Sequence, residues 1–183
     1  MKLKIDESVE MPSGVTVSYA DGLLTVKGPK GECVRVIREP SIKISVEDNK
    51  LKLACKSASK REKRIINTCI AHAKNMIKGS QELYQYHLKI CSGHFPMNVS
   101  ISGDQFIIKN FLGEKNPRTM TLKKGAVVKI DEDKILVEGA DKELAGQIAS
   151  DIELLTAKRN RDLRVFQDGI YLTEKAGKKV FEQ

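Results

Sequence analysis

Residues 50–79, KLKLACKSASKREKRIINTCIAHAKNMIKG, contain a change of hydrophobic period that decides the fold. Leu51, Leu53 and Cys55 alternate with polar residues, as in a half-buried β-strand. Beyond residue 59 the apolar residues recur at the spacing of one helical face, and a Lys-Gly pair at 78–79 closes the pattern. The residues of this face are Ile65, Ile66, Cys69, Ile70, Ala73 and Ile77. The stretch therefore predicts a strand that leads directly into an amphipathic helix.

The same plan of strand then helix returns in the second half of the chain. Ile135, which is equivalent to Leu51, alternates with Val137, and Asp141 is placed to cap the first free amides of a helix. The apolar face of this second helix comprises Leu144, Ala145, Ile148, Ala149, Ile152 and Leu155. We therefore expect an α+β protein, a tandem repeat of two similar small domains, each an antiparallel sheet packed against one helix. Residues 1–80 would form the first domain, and residues 81–183 the second, which has a C-terminal extension.

The composition favours an anionic partner. Among 183 residues, 32 are Lys or Arg and 24 are Asp or Glu, which gives a formal net charge of +8. Such a balance favours nucleic acid over a membrane, although ordinary solubilising charge is the alternative. No signal peptide and no apolar run long enough to span a membrane are present, so we expect a cytoplasmic protein with no membrane partner.

The candidate metal and catalytic residues do not form recognisable sites. The four cysteines lack zinc-site spacing and are interpreted as small buried hydrophobes, so no metal and no cofactor are predicted. His94 has no nucleophile near it in sequence, Phe95 is expected in the core, and Pro96 is expected just before a strand. An acidic group at 131–133 is expected to form a turn. We therefore predict that the chain is not an enzyme.

Cations are concentrated in two blocks of the second half, residues 115–124 and 158–164, and acids predominate between them at residues 131–153. We expect the two blocks to lie side by side and most of the acids to face elsewhere, because acids beside the cations would weaken their field. Arg164 has an alternative role, bracing the turn at Asp168 and Gly169 through a salt bridge. The candidate RNA-binding residues are Lys115, Arg118, Lys123, Lys124, Lys158, Arg159, Arg161, Arg164, Lys175, Lys178 and Lys179.

Four cations of the first half are possible secondary RNA contacts: Lys30, Lys60, Arg61 and Arg64. Lys30 lies in residues 28–31, GPKG, which match the G-x-x-G clamp of KH domains, but alternating strand patterns on both sides favour a hairpin turn. The other three open the first predicted helix, where they oppose the helix dipole. An external anion or simple solvation would each account for them.

Four segments of the chain resemble one known family. They are VKGPKGE at 26–32, SGHFPMNVSI at 92–101, FLGEKNPR at 111–118, and the pattern R-x-F-x-D-G-I-Y-x-x-x-K at 164–175. In this order they are similar to the large-subunit ribosomal protein six family, a universal family, in its archaeal and eukaryotic type, whose eukaryotic counterpart is large-subunit protein nine. One departure is Lys158, where the family more often has an apolar residue.

The resemblance implies a structural constituent of the large ribosomal subunit, located with the ribosome in the cytoplasm. It implies binding to large-subunit rRNA near the translation-factor site and the stalk base, with most contacts from the second domain and its C-terminal extension. Neighbouring ribosomal proteins and the stalk base would be partners, and translation factors would act nearby. The alternative is a free soluble nucleic-acid-binding module or a ribosome assembly factor.

Overall fold

A computed structural model describes residues 3–47 and 49–180. The chain divides into two compact units, Met1–Leu83 and Tyr84–Gln183. Within the described residues, no helix is both long enough and apolar enough to cross a membrane.

The first unit contains six strands followed by one long helix. These elements are β1 (Leu3–Glu10), β2 (Thr16–Ala20), β3 (Leu23–Gly28), β4 (Gly31–Val36), β5 (Lys43–Glu47), β6 (Lys50–Ala58) and α1 (Lys60–Gln81). The strands form two antiparallel sheets, with orders β1-β6-β5 and β2-β3-β4. Helix α1 contacts strands of both sheets. The predicted change from strand to helix at residue 59 is confirmed.

Helix α1 begins with a capping box. Ser59 accepts a hydrogen bond from the amide of Arg61 at 3.2 Å, and the Glu62 carboxylate accepts from the amide of Ser59 at 2.8 Å. The helix continues two residues past the predicted end at 79, because its last turn packs on the hairpin between β3 and β4. There the amide of Lys30 donates to the carbonyl of Ser80 at 3.0 Å. Gly28 is required at this contact, since a β-carbon on it would lie 2.7 Å from that of Ser80.

The β3–β4 hairpin also decides between the two interpretations of residues 28–31. Gly28 is paired with Gly31 across antiparallel strands, so the segment is a hairpin turn and not a KH clamp. Burial confirms the interpretation of three cysteines: Cys33, Cys55 and Cys69 are buried, and Cys91 is half-buried.

The second unit repeats this order and adds two strands. Its elements are β7 (Tyr84–Cys91), β8 (Asn98–Ser102), β9 (Gln105–Lys109), a short 3-10 turn (Phe111–Gly113), β10 (Arg118–Thr121), β11 (Ala126–Asp131), β12 (Lys134–Gly139), α2 (Lys142–Leu155), β13 (Gly169–Lys175) and β14 (Lys178–Lys179). The sheet orders are β11-β12-β7-β13-β14 and β10-β9-β8. Asp141 caps α2 as predicted, by accepting from the amide of Glu143 at 2.9 Å.

The two units correspond element by element. Strands β1 to β6 and helix α1 match β7 to β12 and α2, and the strand orders β1-β6-β5 and β2-β3-β4 recur as β7-β12-β11 and β8-β9-β10. This confirms the α+β class and the tandem repeat, with the sheet of each unit divided in two. The added strand β13 pairs antiparallel with β7 on the edge away from β12.

The core of the second unit forms between α2 and both sheets. Its largest fully buried side chains are Leu88, Phe106, Ile108, Phe111, Ile135, Ile148, Ile152 and Ile170. The prediction that Phe95 lies in the core is wrong, because 49% of this residue is exposed. Strand β7 ends at Cys91, so the chain has left the sheet before it reaches Phe95.

Candidate nucleic-acid interface

Arg118 joins the two basic blocks of the second unit. It is the first residue of β10, and its Nη1 donates to the carbonyl of Leu155 at 2.7 Å and to that of Ala157 at 3.2 Å, at the end of α2. Its Nε and Nη2 donate to the Glu114 carboxylate at 2.8 and 2.6 Å, and its guanidinium lies 4.3 Å from the centroid of the Phe111 ring. The block at 115–124 therefore adjoins the beginning of the block at 158–164.

Lys158 joins the segment that follows α2 to the residues around the start of β13. Its ammonium donates to the main-chain carbonyl of Asp168 at 2.6 Å and to the hydroxyl of Tyr171 at 2.7 Å. These contacts tie the segment that follows α2 to the start of β13. Both Arg118 and Lys158 are half-buried, and both use their charge inside the protein. Lys158 therefore has structural partners within its own unit.

The other predicted cations of the second unit are exposed. They are Lys115, Lys123, Lys124, Arg159, Arg161, Arg164, Lys175, Lys178 and Lys179. Arg164 pairs with Asp162 at 2.9 Å, so the alternative that it braces the turn at Asp168 is wrong. One acid of segment 131–153 lies near the basic blocks, because Asp151 is 3.5 Å from Lys123.

A carboxylate that sequence analysis did not assign organises the loop after β7. Asp168 is only 3% exposed, and its carboxylate accepts hydrogen bonds from the amides of Gly93 and His94 and from Nδ1 of His94. Burial opposes ionisation of this group, but the bonds from His94 and Gly93 outweigh it and lower the pKa of Asp168 to about 2. Asp168 is therefore a carboxylate at neutral pH.

The His94 ring also connects this carboxylate to an aromatic and a cationic side chain. The His94 ring stacks on Phe166 with centroids 5.0 Å apart, and the Arg161 guanidinium lies 4.9 Å from the Phe166 centroid. We call His94, Arg161, Phe166 and Asp168 the His94 cluster. Sequence reasoning missed it because His94 and Asp168 are 74 residues apart. The available signal was that both lie inside the motifs that carry the family resemblance.

The secondary candidates lie in the first unit and are all exposed. Lys30 is at the tip of the β3–β4 hairpin, and Lys60, Arg61 and Arg64 are in the first two turns of α1. Glu62 lies among the helix cations, and its hydrogen bonds with Ser59 lower the pKa of its carboxyl group. A negative charge in the first turn offsets part of the conflict between these cations and the helix dipole. Within the described residues, no group of three or more His, Cys, Asp or Glu side chains is arranged to hold a metal.

These features define a class of protein. It is a duplicated α+β scaffold whose exposed cations, carried on a segment that internal hydrogen bonds hold in place, suit it to bind a polyanion. The chain matches the family model described as Ribosomal protein L6 over residues 11–82 and 95–169, one segment in each unit. It is 46% identical to the large ribosomal subunit protein uL6 of Nanoarchaeum equitans, over 98% of this chain and 97% of that protein. It is 40% identical to the protein of that name from Methanococcus vannielii, over 95% of this chain and 96% of that protein.

The chain belongs to the ribosomal protein L6 family and is a structural protein of the ribosome. This confirms the resemblance that the four motifs indicated, and with it the expected location in the ribosome.

Proposed function

We propose that this chain is a constituent of the large ribosomal subunit and binds large-subunit rRNA near the translation-factor site and the stalk base. Neighbouring ribosomal proteins and the stalk base would be its partners there, and translation factors would act nearby. The names of the archaeal relatives support the subunit. The position within the subunit rests on the family resemblance of the motifs. This role requires no chemistry from the protein itself.

The main structural support for RNA binding is the set of hydrogen bonds made by Arg118. It joins β10 to the end of α2, so the exposed cations of both basic blocks project from one connected scaffold. Cations that the fold already orders lose less conformational entropy when they contact phosphates. We therefore assign the phosphate contacts to the exposed cations of the second unit, and a supporting role to Arg118 and Lys158.

The composition favours recognition of the RNA backbone and of its shape. Aromatic residues make up only 5% of the chain, and it has no tryptophan. Single-stranded RNA is usually held by stacking on aromatic side chains, whereas double-stranded RNA is recognised through phosphates, 2′-hydroxyls and groove shape. Exposed Lys and Arg side chains on loops that are joined to the folded unit suit the second mode.

The salt dependence of binding tests this proposal. If about five phosphates are neutralised, the slope of log K against log salt for a large-subunit rRNA fragment should be about −4 to −5. A slope near zero would contradict recognition through cations and phosphates. The titration should use the whole chain, since both units carry candidate contacts.

Co-sedimentation with ribosomal subunits tests whether the chain is a constituent. We expect it to stay with the large subunit through a moderate salt wash, because many contacts must break together. Release under that wash would instead indicate a free nucleic-acid-binding module. Association restricted to immature subunits would indicate an assembly factor.

A further inference from the structure

The side chain of His94 is not needed to hold its own loop in place. The amides of Gly93 and His94 both donate to the buried carboxylate of Asp168, and these two bonds already hold the loop. The imidazole adds a third bond, although 38% of the His94 side chain is exposed. The loop is anchored by its main chain and presents an exposed ring in a fixed orientation. This geometry suits a contact with a ligand.

The contact with Asp168 determines which nitrogen of the ring remains available. An ionised carboxylate only accepts hydrogen bonds, so Nδ1 of His94 carries a proton. The described hydrogen bonds of His94 go through its amide and Nδ1 to Asp168. To donate from Nε2 as well, the ring must carry a second proton, which makes it a cationic donor.

The surrounding charges suit an anion beside His94. The Asp168 carboxylate is already occupied by bonds from Gly93 and His94, and the Arg161 guanidinium lies against the same Phe166 ring on which His94 stacks. The ammonium of Lys158 is bound to the main-chain carbonyl of Asp168 and adds positive charge to the same segment. A phosphate at this place would be attracted by Arg161 and would favour the charged form of His94.

We propose that His94 is an RNA-binding residue, which donates its Nε2 proton to a backbone phosphate beside Arg161. This inference rests on the proposed function, because it assumes that RNA covers this surface. It predicts that His94 takes up a proton when RNA binds. The affinity must then rise as the pH falls toward 6, through the range in which histidine titrates.

Binding to a large-subunit rRNA fragment at pH 6, 7 and 8 and constant salt tests the proposal. For the unmodified chain we expect affinity to be roughly three- to tenfold higher at pH 6 than at pH 8, since uptake of one proton allows at most tenfold per pH unit. His94→Gln should remove most of this dependence and bind more weakly at pH 6. The matched control is His87→Gln, since the His87 side chain is also 38% exposed but faces Glu174 at 3.9 Å. It should keep the pH dependence of the unmodified chain.

An NMR titration of the His94 ring provides a test that needs no substitution. Its titration midpoint should rise when the RNA fragment is bound. An unchanged midpoint, or equal pH dependence in the unmodified chain and His94→Gln, would overturn the assignment of His94. Salt-dependent binding would persist in that case, so the proposed function would stand. If the unmodified chain bound no large-subunit RNA at any of the three pH values, the proposed function itself would fail.

Discussion

Replacing Asp168 by Asn tests how much the buried carboxylate stabilises the second unit. The amide keeps the shape of the side chain but removes the charge that accepts bonds from Gly93 and His94. The pKa of Asp168 is about 2 in the folded protein and 3.8 ordinarily. Because one pH unit corresponds to about 1.4 kcal/mol, the charge contributes on the order of 2 kcal/mol to the free energy of unfolding at neutral pH.

The sign of the pH dependence follows from the direction of this shift. A carboxyl group whose pKa is lowered by folding stabilises the protein above its ordinary pKa, and this contribution is lost as the pH falls through the lower value. The difference in stability between the unmodified protein and Asp168→Asn should therefore shrink between about pH 4 and pH 2.

Urea unfolding at pH 7, 4 and 2.5 measures this difference. Asp162→Asn is the matched control: its carboxyl group also has a lowered pKa, mainly through its bond with Arg164, but that pair is exposed. Exposed pairs contribute little to stability, so the control should unfold close to the unmodified protein. If Asp168→Asn also unfolded within a few tenths of a kcal/mol of the unmodified protein at pH 7, the reasoning would be refuted.

Two further predictions concern the exposed cations and the two units. Replacing Arg161 and Arg164 by Ala should weaken RNA binding by about 1 kcal/mol or more per lost phosphate contact, with little change in melting temperature, and Arg→Lys should recover only part of it. The control replaces Lys50 and Lys52 of β6 by Ala, since these lysines pair with acids of their own unit. An equal loss of RNA affinity in both double variants would show that only the total charge matters. Fragments divided after Leu83 should each give a dispersed amide NMR spectrum, and two disordered fragments would contradict independent folding.

Local features of the fold could be predicted because their causes lie close together in the sequence. The change of period after Cys55 comes from neighbouring residues, and so does the cap at Asp141. The turn between Gly28 and Gly31 is also local, since its strand patterns lie directly on either side. In each case the alternative local structures require different residue types within a few neighbouring positions, so the sequence pattern can discriminate between them.

Features that depend on distant partners could not be predicted. Asp168 is a buried carboxylate only because the loop at His94 approaches it from far away in sequence. Phe95 was expected in the core, but β7 has already ended at Cys91 and the side chain is exposed. Arg118 and Lys158 appeared as available charges, but their partners are carbonyls of other segments. Sequence shows how many cations exist, but not which of them the fold uses as braces.

The second unit continues past α2 through a cationic segment to the added strand β13, which the first unit lacks. In that segment, residues 156–168, the hydroxyl of Thr156 accepts the amide of Ile170 on β13 at 3.0 Å. Lys158 contacts Tyr171 on the same strand, and Asp168 immediately precedes it. A segment fastened at both ends to a strand of the main sheet holds Arg159, Arg161 and Arg164 with fewer conformations to lose on binding. Among the described residues of the first unit, no strand follows α1, so this unit has no counterpart of the segment 156–168.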